Sequence, residues 1–221
     1  MTNIKNNLEE TNKNIKSTDL ANKVTLVAVS KKQSIDKILQ AINCGQNNFG
    51  ENYLQEALEK IELLQEHKLK WHFIGPIQSN KCKLIAENFS WVHTIDRLKI
   101  AKRINEAREN MSPMNICIQI NISQEGSKSG LSIEDLDNFA DELQSYNNLK
   151  LRGLMAIPSN SESDAKLTKE FNLLNNKYEI MKKKYSSMDT LSMGMSNDYL
   201  LAIKNGANLV RIGSKIFGKR T

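Results

Sequence analysis

Short apolar runs alternate with longer segments of helical spacing along almost the whole chain. Strand-like runs fall at 24–30, 47–50, 71–75, 91–95, 115–122, 149–157, 190–195 and 209–213. They are apolar at successive positions rather than at every second one, the pattern of strands buried on both faces of a parallel sheet. Between them, Ile35, Ile38, Leu39 and Ile42 share one helical face behind Ser34 as N-cap,. Leu54, Leu58 and Ile61 repeat the spacing. So do Ile133, Leu136, Ala140 and Leu143 behind Ser132, and the long stripe Leu167, Phe171, Leu174, Tyr178 and Met181. The stretch 1–23 is polar with sparse apolar spacing (Ile4, Leu8, Ile15), which predicts a helix with frayed ends before the first strand. Eight strand–helix units with no long linker predict one (β/α)8 TIM barrel over residues 1–221, an α/β fold of a single domain; an open doubly wound sheet is the alternative.

Composition narrows the class. Of the 221 residues, 39% are hydrophobic and 25% charged, enough to bury a sizeable core,. No apolar run approaches the ~20 residues of a membrane span, and no secretory signal pattern opens the chain. Cys44, Cys82 and Cys117 are scattered, which favours a reducing, cytoplasmic setting and argues against a disulfide or metal framework,. The net charge of +6 is spread over every helical segment, and aromatics are only 6%, so a nucleic-acid surface is a weak alternative,.

Chemistry concentrates at the ends of the strands. In a parallel barrel the C-terminal strand ends carry the active face. There the sequence places Lys31, Glu51-Asn52, His72-Phe73-Ile74-Gly75-Pro76, Met155, Gly194-Met195-Ser196 and Arg211-Ile212-Gly213-Ser214. Ser196 reads as the N-cap of a helix opening at Asn197, whose free N–H groups would favour an anion. The turn at Gly213-Ser214 offers further backbone donors. Arg211 sits in an apolar strand and requires an acceptor, either a structural carboxylate or a ligand nitrogen. A lysine, an arginine and two small-residue turns suit an anionic aldehyde. Glu51 reads as half of a barrel-mouth ion pair.

From Val24 to Gly218 the chain resembles the pyridoxal phosphate homeostasis proteins, small single-domain relatives of the alanine racemase barrel. The resemblance is carried by Ala28-Val29-Ser30-Lys31, Phe49-Gly50-Glu51-Asn52-Tyr53 and Trp71-His72-Phe73-Ile74-Gly75-Pro76-Ile77-Gln78-Ser79-Asn80-Lys81, and then by Gly126-Ser127-Lys128-Ser129-Gly130, Leu151-Arg152-Gly153-Leu154-Met155, Ser192-Met193-Gly194-Met195-Ser196 and Val210-Arg211-Ile212-Gly213-Ser214. It implies pyridoxal 5′-phosphate as cofactor, held as a Schiff base on Lys31. It further implies a phosphate cup at Ser196, Gly213 and Ser214, Arg211 facing the pyridine nitrogen, and Asn52, His72 and Met155 lining the pocket near the ring. No residue is assigned a catalytic role and none a metal. The implied protein is a cytoplasmic, monomeric carrier that keeps the free aldehyde low, with coenzyme-dependent apoenzymes as candidate recipients and no nucleic-acid or membrane partner. The alternative within the resemblance is an amino-acid racemase. A racemase needs a second base on the far side of its substrate; in the resembling racemases an added domain supplies it, and the sequence points to none here. Two departures stand out. Gln33 and Ser34 occupy positions where the family often has lysine and proline, and the chain stops at Thr221, short of the family's usual ending.

Other motifs carry less. Gly213 to Lys219 has the spacing of a phosphate-binding loop, but Arg220 stands where Ser or Thr is required,. Gly126 to Gly130 reads as a basic loop that closes over the mouth or is a solvated turn. His67 reads as a surface residue, and His72 and His93 fall within strands.

Overall fold

The computed structural model describes residues 3–18, 23–123, 125, 129–161 and 163–218. Eight parallel strands close into a barrel in sequence order: β1 (Thr25–Val29), β2 (Asn48–Glu51), β3 (Lys70–Phe73), β4 (Trp91–Ile95), β5 (Met114–Ile120), β6 (Leu149–Ala156), β7 (Thr190–Ser192) and β8 (Leu209–Ile212). The expected strands are all present, and the open-sheet alternative is excluded by the pairing of β8 with β1. Each strand is buried toward its end because helices cover the outside and side chains from neighbouring strands fill the inside,.

The helices follow the apolar stripes. Helix α1 (Ile4–Lys16) buries Ile4, Leu8 and Ile15 as the spacing requires. The frayed ends expected around it, at 1–2 and 19–22, lie outside the described residues. Helices α2 (Ile35–Asn43), α3 (Leu54–Leu63), α4 (Cys82–Asn88) and α5 (Leu98–Ala107) cover the first half of the barrel. Helices α6 (Leu136–Leu143), α7 (Asp164–Lys184), α8 (Tyr199–Lys204) and the single turn α9 (Ser214–Phe217) cover the second. The stripe of α7 is buried throughout, and α1 packs on α9, with Asn7 donating to the Ile216 carbonyl at 2.9 Å.

Three expected caps differ. Ser34 occupies the N-cap of α2, but its side chain makes no capping bond. Ser132 does not start α6. Its hydroxyl donates to Asp135 Oδ2 at 2.8 Å and accepts the Asp135 N–H, so Ile133 and Glu134 form a turn and the helix begins at Leu136. Ser196 does not start α8; Asp198 does, and its carboxylate accepts the Met195 N–H, consuming the residues that were expected to open the helix.

Candidate functional site

Barrel closure brings the two ends of the chain together. In the β1–β8 ladder Val27 pairs with Arg211 and Ala28 with Ile212. Lys31, two residues past β1, therefore stands beside the Gly213-Ser214 turn that follows β8. Both line one cavity of about 940 Å³ at the C-terminal mouth, together with Asn52, Met155, Ser196 and Arg211. His72 is the exception. It lies a layer deeper in the barrel and lines a smaller cavity of about 450 Å³ at the opposite end, because the stagger of β3 sets its side chain below the mouth,.

The turn carrying Lys31 is pinned on both sides. Ser30 Oγ donates to Glu51 Oε1 at 2.7 Å, and the Ser30 carbonyl accepts from Lys60 Nζ at 2.7 Å. Lys60 also donates to Glu51 Oε1 at 2.8 Å and Glu56 Oε1 at 2.6 Å, using all three of its protons,. Glu56 in turn accepts the backbone N–H of Lys32, a residue held at φ 59°. The expected ion pair of Glu51 is thus real, and its partner is a buried lysine of α3. Burial pushes the Glu51 carboxyl up from its ordinary range, against the opposing pull of Lys60.

The phosphate-type turn is assembled by Ser196 in a way the cap reading misses. Its hydroxyl accepts the N–H groups of Gly213 at 3.3 Å and Lys215 at 3.4 Å, so two backbone donors and one hydroxyl converge between the loops after β7 and β8. Both contacts are long, which leaves the donors weakly satisfied. Gly194 lets the loop after β7 pack closely on α8: it sits at φ +93°, and a Cβ there would lie 2.7 Å from Ala202 Cβ. Asn52 is set by a similar close contact, since a Cβ on Gly75 would lie 2.2 Å from the Asn52 carbonyl oxygen.

Arg211 finds neither a carboxylate nor solvent. Nη1 donates to the Ser192 carbonyl at 2.9 Å and to Ser192 Oγ at 2.7 Å, and Nη2 donates to the Ala156 carbonyl at 3.0 Å. Burial lowers its pKa to about 10, with Asp198 pulling the other way, so it remains a cation at neutral pH. Its Nε–H and one Nη2–H are uncommitted in this set of bonds.

A polar anionic ligand fits this lining through the Arg211 cation and the weakly held N–H groups of Gly213 and Lys215. Asn52 and Ser159 also line the cavity, and their buried Oδ1 and Oγ have no hydrogen-bond partner among the described residues. Such atoms are costly unless a ligand or water engages them. Residues 159–161 and Leu201 also line the mouth and carried no signal in the sequence, being ordinary loop and helix residues; Ile157, expected as the end of the strand 149–157, lines it just past β6. Lys60 was hidden among many surface lysines. Of the basic loop, residues 126–128 lie outside the described set; Ser129 is held by Gln119 Nε2 at 3.0 Å. His67 is exposed, as expected. Among the described residues no cluster of His, Cys, Asp and Glu is placed to hold a metal, and no helix is long and apolar enough to cross a membrane.

The family model of the alanine racemase N-terminal domain matches residues 1–221. The pyridoxal phosphate homeostasis protein of Vibrio cholerae is 48% identical over 202 residues, covering 89% of this chain and 86% of that one. Its counterpart from Pseudomonas aeruginosa is 49% identical over 198 residues, covering 89% and 85%. Among solved structures, PipY of Synechococcus elongatus PCC7942 with PLP (pyridoxal 5′-phosphate) bound is similar at a TM-score of 0.88 and 30% identity, across 98% of this chain and 100% of that one.

Proposed function

The chain belongs to the alanine racemase N-terminal domain family, among its pyridoxal phosphate homeostasis proteins, and from that premise we propose that it binds pyridoxal 5′-phosphate at the barrel mouth and serves in homeostasis of that coenzyme. The observation that carries this reading is the convergence of Lys31, Arg211 and the Ser196–Gly213–Ser214 turn on one cavity through the β1–β8 closure. When bound, the coenzyme supplies an aldehyde that lysine can hold covalently and reversibly. Lys31 is the amine that takes it. Ser196, Gly213 and Ser214 receive the phosphate through a hydroxyl and backbone N–H groups. Asn52 and Met155 flank the ring. Arg211, as a permanent donor, would face the ring nitrogen and leave it unprotonated.

That last feature moderates carbanion chemistry without excluding it; what favours a carrier over a catalyst is that a racemase needs a second base and the sequence points to none. An unprotonated pyridine is a weaker electron sink than one paired with a carboxylate, which slows carbanion chemistry and leaves reversible holding intact. The role is therefore storage and release, non-catalytic, in a cytoplasmic monomer whose recipients are coenzyme-dependent apoenzymes.

An absorbance spectrum of the purified protein before and after borohydride, followed by peptide mass mapping, tests the assignment. The expected adduct maps to Lys31. A Lys31→Ala protein that keeps the coenzyme with undiminished stability would overturn the covalent anchor. Racemisation of alanine or serine with kcat above ~1 per second would overturn the carrier role.

A further inference from the structure

Arg211 is the upper end of a single file of buried hydrogen bonds that runs through the barrel. Arg211 Nη1 lies 2.7 Å from Ser192 Oγ, which lies 2.9 Å from His93 Nδ1. His93 Nε2 lies 2.9 Å from His72 Nδ1, and His72 Nε2 lies 3.0 Å from Asn48 Oδ1 in the opposite cavity. Ser192, His93 and His72 are at most 1% exposed. Both imidazoles are neutral. Burial, with Lys70 facing His72 and Arg211 facing His93, lowers His72 to about 3 and His93 well below its ordinary value.

With neutral rings, the Asn48 side-chain carbonyl oxygen at the lower end fixes every donor in the file,. Arginine only donates, so Ser192 Oγ accepts from it, but a second lone pair leaves the Ser192–His93 bond undirected from this end; the direction comes from Asn48,. His93 then carries its proton on Nε2 and donates to His72 Nδ1. His72 carries its proton on Nε2 and donates to Asn48 Oδ1, while the Asn48 amide nitrogen is engaged at 2.6 Å with Asn47 Oδ1. Working up from Asn48, His93 Nδ1 is left without a proton, so the Ser192 hydroxyl donates to it and the Ser192 oxygen accepts from Arg211,. A file of aligned bonds polarises along its length.

We propose that His93, backed by His72, is a positioning residue for Arg211: it holds the Ser192 hydroxyl hydrogen away from the guanidinium and so fixes which N–H groups of Arg211 face a ligand in the mouth cavity. The inference rests on the coenzyme reading above. It gives His72 a part in the site without contact to the ligand, two bonds removed from Ser192. Without His93 the Ser192 hydrogen is free to turn toward Arg211, and the guanidinium loses an acceptor.

Long-range ¹⁵N–¹H correlation spectra of the histidine rings test this, first without ligand and then with pyridoxal 5′-phosphate or inorganic phosphate. The expected result is the Nε2–H tautomer at both His72 and His93. Both rings should shift with pyridoxal 5′-phosphate and stay in place with inorganic phosphate, which engages only the turn. An Nδ1–H tautomer at either ring, or unmoved rings while the coenzyme absorbance is present, would overturn the proposal. A protein that takes up no coenzyme at all would instead sink the functional reading, while the ligand-free spectrum still decides the direction of the file. His93→Leu should weaken coenzyme binding about tenfold, the scale of one misplaced charge-assisted bond, and shift its absorbance, with phosphate affinity unchanged. His93→Gln, which can accept from Ser192 and donate to His72, should stay within about twofold of the parent. Equal losses for both ligands in His93→Leu, or no rescue by glutamine, would reduce the file to a structural element. Should His93→Leu fail to fold, the glutamine variant and the ring spectra still decide.

Discussion

Lys60 shows how much of a site one unremarkable side chain can hold. It satisfies Ser30, Glu51 and Glu56 at once, and through them both flanks of Lys31. Lys60→Met would leave the Glu51 carboxylate buried without a cation, and Glu51 Oε2 already has no partner. The expected loss is about 3–5 kcal/mol in urea denaturation, the usual cost of removing half of a buried pair. Adding Glu51→Gln should restore part of that stability, because the uncompensated charge is gone. If Lys60→Met alone is neutral, the clamp is not holding the turn. Glu51 as an ion-pair former was legible from its place at a strand end. Lys60 was not, because a helix period shows which face a residue takes but not whether a carboxylate waits beneath it.

The loops after β7 and β8 act as a pair of elements, and Ser196 belongs to their junction rather than to α8. Ser196→Ala should therefore leave urea stability within ~0.5 kcal/mol of the parent, where loss of a true N-cap costs ~1 kcal/mol. Binding of inorganic phosphate and of the coenzyme should weaken together. A stability loss with intact phosphate binding would restore the cap reading. Gly194→Ala strikes the same loop where it packs on α8. It forces a side chain into a left-handed position 2.7 Å from Ala202, and is expected to cost roughly 1–3 kcal/mol in thermal unfolding.

The whole molecule carries a pH signature from its buried imidazoles. Both folded-state values are depressed, so below the ordinary value of 6.5 the unfolded chain binds protons that the folded chain refuses. Stability is then fully present above about pH 6.5. It falls as the pH drops, by up to ~1.4 kcal/mol per pH unit for each histidine. For His72 the loss continues to about pH 3. Glu51 and Asp198, raised by burial, act with the opposite sign upward from their ordinary carboxylate values, so the histidine contribution is read between about pH 7 and 5 as the difference between the parent and His93→Gln,. Urea titrations across that window should show it, with a reduced slope in His93→Gln. An identical profile in the parent and His93→Gln would contradict neutral, buried rings.

By itself the sequence determined the alternation of strand and helix, the number of strands and the chemistry at their ends, because burial on both faces and helical spacing are local patterns. It also marked Lys31 and Arg211, since a cation at the edge of or within an apolar strand demands a partner. Only the tertiary structure decided that β8 closes on β1, that Ser196 serves a turn near the far end of the chain, and that His72 lies beneath the mouth rather than in it. Those outcomes depend on strand stagger and on hydrogen-bond partners contributed by distant segments, and neither is written in the spacing of residues along one strand.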